Sequence, residues 1–303
     1  VDIPYRREME FSYGSAAQLA PGIRRVIANN PSAFTFHGTG TYILGSGQVA
    51  IIDPGPNDET HIDAVLDALD GEEVSHILVT HTHMDHSPGC RLLQAKTGAP
   101  TYAYGPHGAG KIKQGVQVEE GGDMDFDPDH LVKHGDIIRG RDWTVECVYT
   151  PGHTSNHMCF ALQEQKALFS GDHVMAWSTS IISPPDGDMA AYMDSLKLLL
   201  GRDDEIYWPT HGPSIIDPKT HVQAFIDHRL ERERQILECI NQGTYHIRDM
   251  VPLMYIDTPA FMYPAAARSV LAAMENLVRN QQVRVEGEGG VPNMGLDSTY
   301  YLA

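Results

Sequence analysis

Six residues, His81-Thr82-His83-Met84-Asp85-His86, concentrate the chemistry of this 303-residue chain. They follow an apolar run, His76-Ile77-Leu78-Val79-Thr80, that reads as a strand. At the end of a strand, positions i and i+2 point to one side, so His81 and His83 can grip one metal ion together. Asp85 and His86 fall in the following turn and can face a second ion. Imidazole and carboxylate without thiolate suit zinc, manganese or iron. With 16 His and 24 Asp in the chain, chance places this four-residue pattern roughly 0.003 times.

Four ligands in so short a stretch cannot complete two ions, so further His or Asp must arrive from other strand ends. Three positions qualify: His153 in Thr150-Pro151-Gly152-His153-Thr154, Asp172 in Ser170-Gly171-Asp172-His173, and His211 in Pro209-Thr210-His211-Gly212. Each lies just past a short apolar strand and beside Gly or Pro, where loops gather at one edge of a sheet. Alone, each reads as an ordinary surface or core residue; with the first cluster they form a seven-ligand set.

The elements that must position these ligands read as follows. Strands are expected at 41–44 and 49–52, then at 76–80, 101–104, 144–149, 157–162 and 167–170, with another ending at Tyr207-Trp208. Helical spacing appears at Glu59 to Leu69, near Arg91 to Thr97, and at 188–200 with Asp188 as N-cap. Strands and helices alternate in blocks, which points to sheets sandwiched by helices. After Pro218 the pattern turns helical: a long charged helix from His221 to Asn241, then stretches near 247–255 and 265–279. Val283-Arg284-Val285, a glycine-rich turn at 287–290 and Thr299-Tyr300-Tyr301-Leu302 read as a closing hairpin. Residues 1–218 are thus expected to form one domain and 219–303 a winged-helix-like second.

Composition removes several classes. Lys and Arg number 22 against 40 Asp and Glu, a net charge of −18. That excess is wrong for a general phosphate-binding surface and favours a small-molecule substrate over nucleic acid. No apolar run is long enough to span a membrane. Cys90, Cys147, Cys159 and Cys239 match no disulfide framework and read as reduced, mostly buried thiols. With no signal-peptide core behind Arg6-Arg7, they favour the cytoplasm. A homo-oligomer stays open.

The order HxHxDH…H…D…H resembles the metallo-β-lactamase superfamily. Within it, the chain is most similar to the beta-lactamase-like protein 2 family. The residues that carry this are Asn30-Pro31, Gly38-Thr39-Gly40-Thr41-Tyr42, Ile52-Asp53-Pro54-Gly55, the Thr150–Thr154 segment with His157, His228-Arg229 with Arg232-Glu233, and the tail. The resemblance implies an αββα sandwich. It also implies two ions, expected to be Zn(2+): one held by His81, His83 and His153, the other by Asp85, His86 and His211, with Asp172 bridging. Gly40 departs from the family's GTNTY motif, so a contact from the Asn side chain is lost.

Such an ion pair, about 3.5–4 Å apart, implies a bridging hydroxide as nucleophile. Asp85 is then the residue that orients it and moves its proton. His157 either donates a hydrogen bond to substrate or stands behind a ligand and orients it. Asp53 fits a place behind the ligands, and Tyr42 the pocket wall. The expected activity is hydrolysis of an ester or thioester. Lactam hydrolysis is disfavoured, because β-lactamases of this superfamily carry Cys or Ser where Asp172 stands. The alternatives are a single-strand-specific endoribonuclease, for which Arg229, Arg232 and Arg234 would supply a basic strip, and a mononuclear iron enzyme oxidising persulfides. The strip reads more readily as a solvated helix face with ion pairs to Glu231 and Glu233. A DNA-reading tail is not supported, since Ala265 to Asn280 carries only Arg268 and Arg279.

Two decoys are set aside. Gly105 to Lys111 matches GxxxxGK, but Ile112 replaces the Ser or Thr that a phosphate loop needs. Residues 119–129 have Asp at alternate positions like a calcium loop, but Pro128 and His134 stand where Gly and Glu belong. Both are expected to be surface loops.

Overall fold

Alternate residues of the central strands serve two different layers. Tyr42 and Leu44 pack with Phe160, Phe169 and Trp208 between two sheets, while Ile43, between them in sequence, packs against helices. This period-2 division fixes the register. The computed structural model describes residues 2–110, 121–287 and 294–303. Its first sheet runs in sequence order through β1 (Ala16–Ala20), β2 (Ile23–Ile27), β3 (Gly40–Leu44), β4 (Gln48–Ile52), β5 (Glu73–Leu78), β6 (Thr101–Ala103) and β7 (His130–Leu131). The second comprises β8 (Ile137–Arg139), β9 (Thr144–Tyr149), β10 (Met158–Leu162), β11 (Ala167–Gly171) and β12 (Ile206–Pro209), with β12 at one edge beside β11.

Helices α1 (Glu59–Asp67) and α2 (Gly89–Thr97) cover the outer face of the first sheet. Ile51, Ile77, Ile62 and Leu93 are fully buried there, each contributing about 1.5–3 kcal/mol. Helix α3 (Met189–Leu200) covers the second sheet, capped as expected by Asp188, whose carboxylate accepts from Ala191 N. The result is the helix–sheet–sheet–helix sandwich implied by the resemblance.

The tail comprises α4 (Pro218–Asn241), α5 (Ile247–Met254), α6 (Tyr263–Arg279), β13 (Val283–Val285) and β14 (Tyr300–Leu302), the two strands pairing antiparallel. Part of the expected turn, 288–290, lies outside the described residues. Phe225, Ile236, Met250, Leu271 and Tyr300 share one core with Val148, Leu168 and Tyr192 of the sandwich. Tail and sandwich are therefore fused through packed side chains. Among the described residues, no helix is long and apolar enough to cross a membrane. All four cysteines are free and buried.

The β1–β2 hairpin was not anticipated. Arg24 and Arg25 interrupt the apolar pattern of β2, yet Arg25 is buried and its Nη1 donates to Gly212 O at 2.8 Å. A strand holding a buried arginine does not read as one.

Candidate metal centre

Five strand ends meet at one edge of the sandwich. β4 delivers Asp53, β5 the turn from His81 to His86, β9 His153, β11 Asp172 and β12 His211. Two glycines make these turns feasible. Gly152 has φ +139, and a Cβ there would lie 2.3 Å from the Tyr192 backbone. Gly171 has φ +53, and its Cβ would meet His157 Nε2 at 2.5 Å. Any L side chain at either position would displace His153 or Asp172.

All seven expected ligands come together. The ligand atoms of His81, His83 and His153 lie within 4.8 Å of one another, as do those of His81, His86 and Asp172 and those of Asp85, His86 and His211. Asp172 Oδ2 sits 3.4 Å from His211 Nε2, 3.5 Å from His86 Nε2 and 3.9 Å from His153 Nε2. It thus lies between the two outer groups.

Hydrogen bonds behind the rings fix which nitrogen faces inward. His153 Nδ1 meets Ile181 O at 2.6 Å and His211 Nδ1 meets Gly38 O at 3.2 Å. A carbonyl only accepts, so both rings carry a proton on Nδ1 and turn Nε2 inward. His86 Nδ1 donates to Asp53 Oδ2 at 3.0 Å. Thr80 Oγ1 donates to Asp53 at 2.7 Å and therefore accepts from His81 Nδ1 at 3.1 Å. His83 faces its neighbour with Nδ1, 3.0 Å from His81 Nε2. Carbonyl or carboxylate behind imidazole is the usual arrangement behind a metal ligand.

The inward atoms test whether a cation fits. His86 Nε2, His153 Nε2 and Asp172 Oδ1 are buried without a hydrogen-bond partner. Each such atom costs about 1–3 kcal/mol if left unsatisfied, and all three belong to residues of the same cluster. A divalent cation satisfies lone pairs of both kinds at once. The His/Asp cluster is a metal-binding cluster by its donor chemistry.

Electrostatics of the side chains alone agree. Burial pushes Asp85 and Asp172 upward, but the neighbouring His86 and His211 outweigh it and leave both carboxylates well below their ordinary range. Burial pulls His86 and His211 down, and the carboxylates overcome it, raising His86 well above its usual value and His211 to about 10. His81, His83 and His153 are lowered chiefly by burial. Metal binding exchanges such protons for the cation.

Asp53 is fully buried and bolts three elements together. It accepts from Thr80 N and Thr80 Oγ1, each at 2.7 Å, from Thr210 Oγ1 at 2.8 Å, and from His86. His157 is equally buried. Its Nε2 accepts from Asp172 N at 3.2 Å, so Nδ1 carries the proton and meets Thr150 Oγ1 at 2.9 Å. With both nitrogens engaged inside the protein, its geometry favours the second of its two expected roles, orienting a ligand. Tyr42 does not line the cavities described below; its hydroxyl donates to Pro209 O at 2.6 Å.

Several residues escaped sequence reasoning. Thr39 Oγ1 donates to Asp85 Oδ2 at 3.1 Å and is held in turn by Asn30. The space beside Gly40 is taken by Arg25, since a Cβ there would lie 2.8 Å from Arg25 Cδ and 2.9 Å from Thr210 O. Asp123, expected in a solvated acidic loop, is instead buried. It accepts from Ser87 Oγ at 2.9 Å, and its N–H donates to Thr82 O. Glu119 and Glu120 of that loop lie outside the described residues. The Gly105 loop turns carbonyls to Asn156 Nδ2, and His107 bonds Thr82 Oγ1; Lys111 is outside the described residues. Apart from the Asn30–Thr39 pair, these bonds join residues far apart in sequence.

Two cavities open on the cluster. One of about 250 Å³ is lined by His153 and Asp172, by Phe34 and Trp177, and by Arg229, Arg232, Tyr255 and Met262 of the tail. Another of about 200 Å³ is lined by Asp85, Asp172, His83, His211, Met84 and Phe34. Phe34 and Asp172 belong to both. Neither the solvated helix face nor its alternative, a basic strip, describes all three arginines: Arg229 is buried and Arg232 partly so, while Arg234 is exposed and paired with Glu231 and Glu238 at 2.6 and 3.0 Å.

Residues 35–211 match the Metallo-beta-lactamase superfamily and residues 247–290 the Beta-lactamase associated winged helix domain. A Drosophila melanogaster protein named Beta-lactamase-like protein 2 homolog is 32% identical over 282 residues, 89% of this chain and 92% of its own. An Aspergillus chevalieri protein named Atrochrysone carboxyl ACP thioesterase is 28% identical over 286 residues, 90% of this chain and 86% of its own. The crystal structure of a Beta-lactamase domain protein from Burkholderia ambifaria shares the fold, with a TM-score of 0.80 at 20% identity, covering 99% of this chain and 97% of that one. Built on a His/Asp metal-binding cluster and a fused winged-helix tail, the chain belongs to the metallo-β-lactamase superfamily.

Proposed function

We propose that the protein is a dinuclear metal hydrolase acting on a small ester or thioester. The observation that carries this reading is the pair of outer ligand groups flanking Asp172, opening on two cavities that meet at Asp172 and Phe34. Two cavities meeting at the cluster suit a substrate that extends on both sides of one scissile bond. The name of the Aspergillus chevalieri relative supports an acyl thioester in particular.

His81, His83 and His153 would hold one ion and Asp85, His86 and His211 the other, with Asp172 between them. Two Zn(2+) held there would polarise the scissile carbonyl and lower the pKa of a coordinated water from about 15.7 to about 7. Asp85 is the more open of the cluster's two carboxylates, its side chain 21% exposed against 9% for Asp172. It takes a proton from the attacking water and passes it to the departing thiolate or alkoxide as the acyl C–S or C–O bond breaks. Thr39 steers the Asp85 carboxylate, and His157 holds the Asp172 backbone. Phe34 separates the cavities and keeps acyl and leaving portions apart.

Residues 1–218 carry the centre in this reading, and 219–303 complete its pocket. Four free thiols support a reducing compartment, the cytoplasm. The test is a parallel assay of zinc-loaded protein on an acyl thioester, an aryl phosphodiester, single-stranded RNA and a chromogenic lactam. Thioester turnover is expected to lead and to vanish on chelation. RNA cleavage that depends on Asp85, with an inert thioester, would replace this reading by the nuclease.

A further inference from the structure

The cavity shared with the tail is walled by positive charge that the chain does not neutralise. Arg229 is only 5% exposed and Arg232 is partly buried. Among the described residues, neither forms an ion pair. Arg229 Nη2 donates to Ser180 O at 2.5 Å, and Arg232 Nη1 to Met254 O at 2.6 Å and Gln235 Oε1 at 2.8 Å. The Nε of each, and Nδ1 of His228 beside them, are buried with no partner. Arg229 lies over Tyr192 and Arg232 over Tyr255, ring contacts that hold the guanidiniums in place without cancelling their charge.

Two other partly buried arginines are treated differently. Arg24 pairs with Glu72, and Arg202 with Glu146 and Asp204. Among the described residues Arg25 has no ion pair either, and its Nε is likewise buried without a partner, but it lines neither cavity and its Nη1 is engaged by Gly212 O. A guanidinium withdrawn from water without a counterion is costly unless an anion arrives to meet it. Its planar fork suits carboxylate and phosphate.

The same cavity is lined by His153 and Asp172. Ser180 links the two ends: its carbonyl receives Arg229, while its hydroxyl donates to Asp172 O at 2.5 Å. A ligand in this space touches the metal cluster and the arginines together. Phe34, Trp177, Tyr255 and Met262 provide apolar walls for the rest of it.

We propose that Arg229 and Arg232 form an anion subsite of the substrate pocket, so that the preferred ester or thioester carries a carboxylate or phosphoryl group besides its scissile bond. This rests on the hydrolase reading. It gives the tail a definite task, supplying specificity through α4 and the Tyr255–Met262 wall.

The test compares butyryl, hemisuccinyl and 3-phosphonopropionyl thioesters of one small thiol with metal-loaded, full-length protein. The account expects kcat/KM at least tenfold higher for one or both anionic acyl groups, and which of the two leads identifies the anion. In Arg232→Gln the anionic-to-neutral ratio should fall about tenfold or more, with Arg232→Lys restoring part of it. No preference in the wild-type protein overturns the proposal, as does a ratio unchanged in a folded Arg232→Gln. Calorimetric titration with succinate and inorganic phosphate provides a readout independent of turnover. Weaker binding to Arg232→Gln, by about tenfold, supports the subsite even if no thioester is hydrolysed, in which case only the hydrolase reading fails. Equal binding to both proteins overturns the subsite. Should Arg232→Gln not fold, Arg232→Met, an unbranched apolar replacement, is compared with the wild type by the same two measures and the same criteria.

Discussion

His81, His83, Asp85 and His86 reach the centre from one turn after β5, whereas Arg229 and Arg232 reach the adjoining cavity from α4 in the tail. On the ligand wall, lone pairs converge until they are within hydrogen-bond range of one another. On the arginine wall, charges stand apart among aromatic and aliphatic groups. Both walls keep polar atoms buried and unpaired, but one set is completed by a cation and the other, in our reading, by a substrate anion. The contrast separates what performs a reaction from what selects its substrate. A ligand wall should fail outright when one residue is lost. A selecting wall should change preference and keep its metal.

The strongest break is expected at His83→Ala. Elemental analysis and turnover should fall together, by more than the 10–100-fold typical of a residue standing behind a ligand. Full metal occupancy with full turnover in this variant would sink the assignment. Asp53→Ala removes the acceptor behind His86 and leaves the Thr80 and Thr210 donors buried. A chelator competition should show metal affinity reduced about 10–100-fold, while the arginine wall is untouched.

The support behind the ligand wall should also show in stability. His61 Nε2 meets Thr41 Oγ1 at 2.7 Å, and burial lowers its pKa to about 4. The unfolded chain takes up this proton near pH 6.5, the folded chain only near 4, so falling pH favours unfolding between those values. Of the stability that urea titrations should lose across that window, His61 contributes about 3 kcal/mol, fully retained above it. His61→Gln should flatten the slope, and an unchanged profile would contradict the cause. The smallest effect is expected from Gly40→Asn. Arg25 and the Thr210 carbonyl occupy the space, so the substitution should destabilise by about 1–3 kcal/mol. A stabilised variant, read by thermal denaturation, would show that the gap is open.

The ligand wall was legible because its residues follow strand ends, where period-2 patterning and Gly or Pro announce the turn. All seven candidate ligands emerged from that logic, and their grouping from the family resemblance. Thr39 and Asp123 were not legible, because each acts through a hydrogen bond to a residue remote in sequence. The same limit hid β2, whose Arg25 is neutral to the pattern only once Gly212 is in place. On α4, Arg229, Arg232 and Arg234 look alike in sequence, yet only Arg234 is a solvated, ion-paired residue. Which arginine turns inward is decided by what packs against the helix, and that is tertiary information.

The most direct test of the central claim is metal stoichiometry measured alongside turnover on an acyl thioester, as divalent metal is titrated into chelator-stripped protein. The account predicts two ions per chain, with hydrolysis reaching its maximum only as the second is bound. A plateau at one ion, or hydrolysis undiminished in stripped protein, would contradict it.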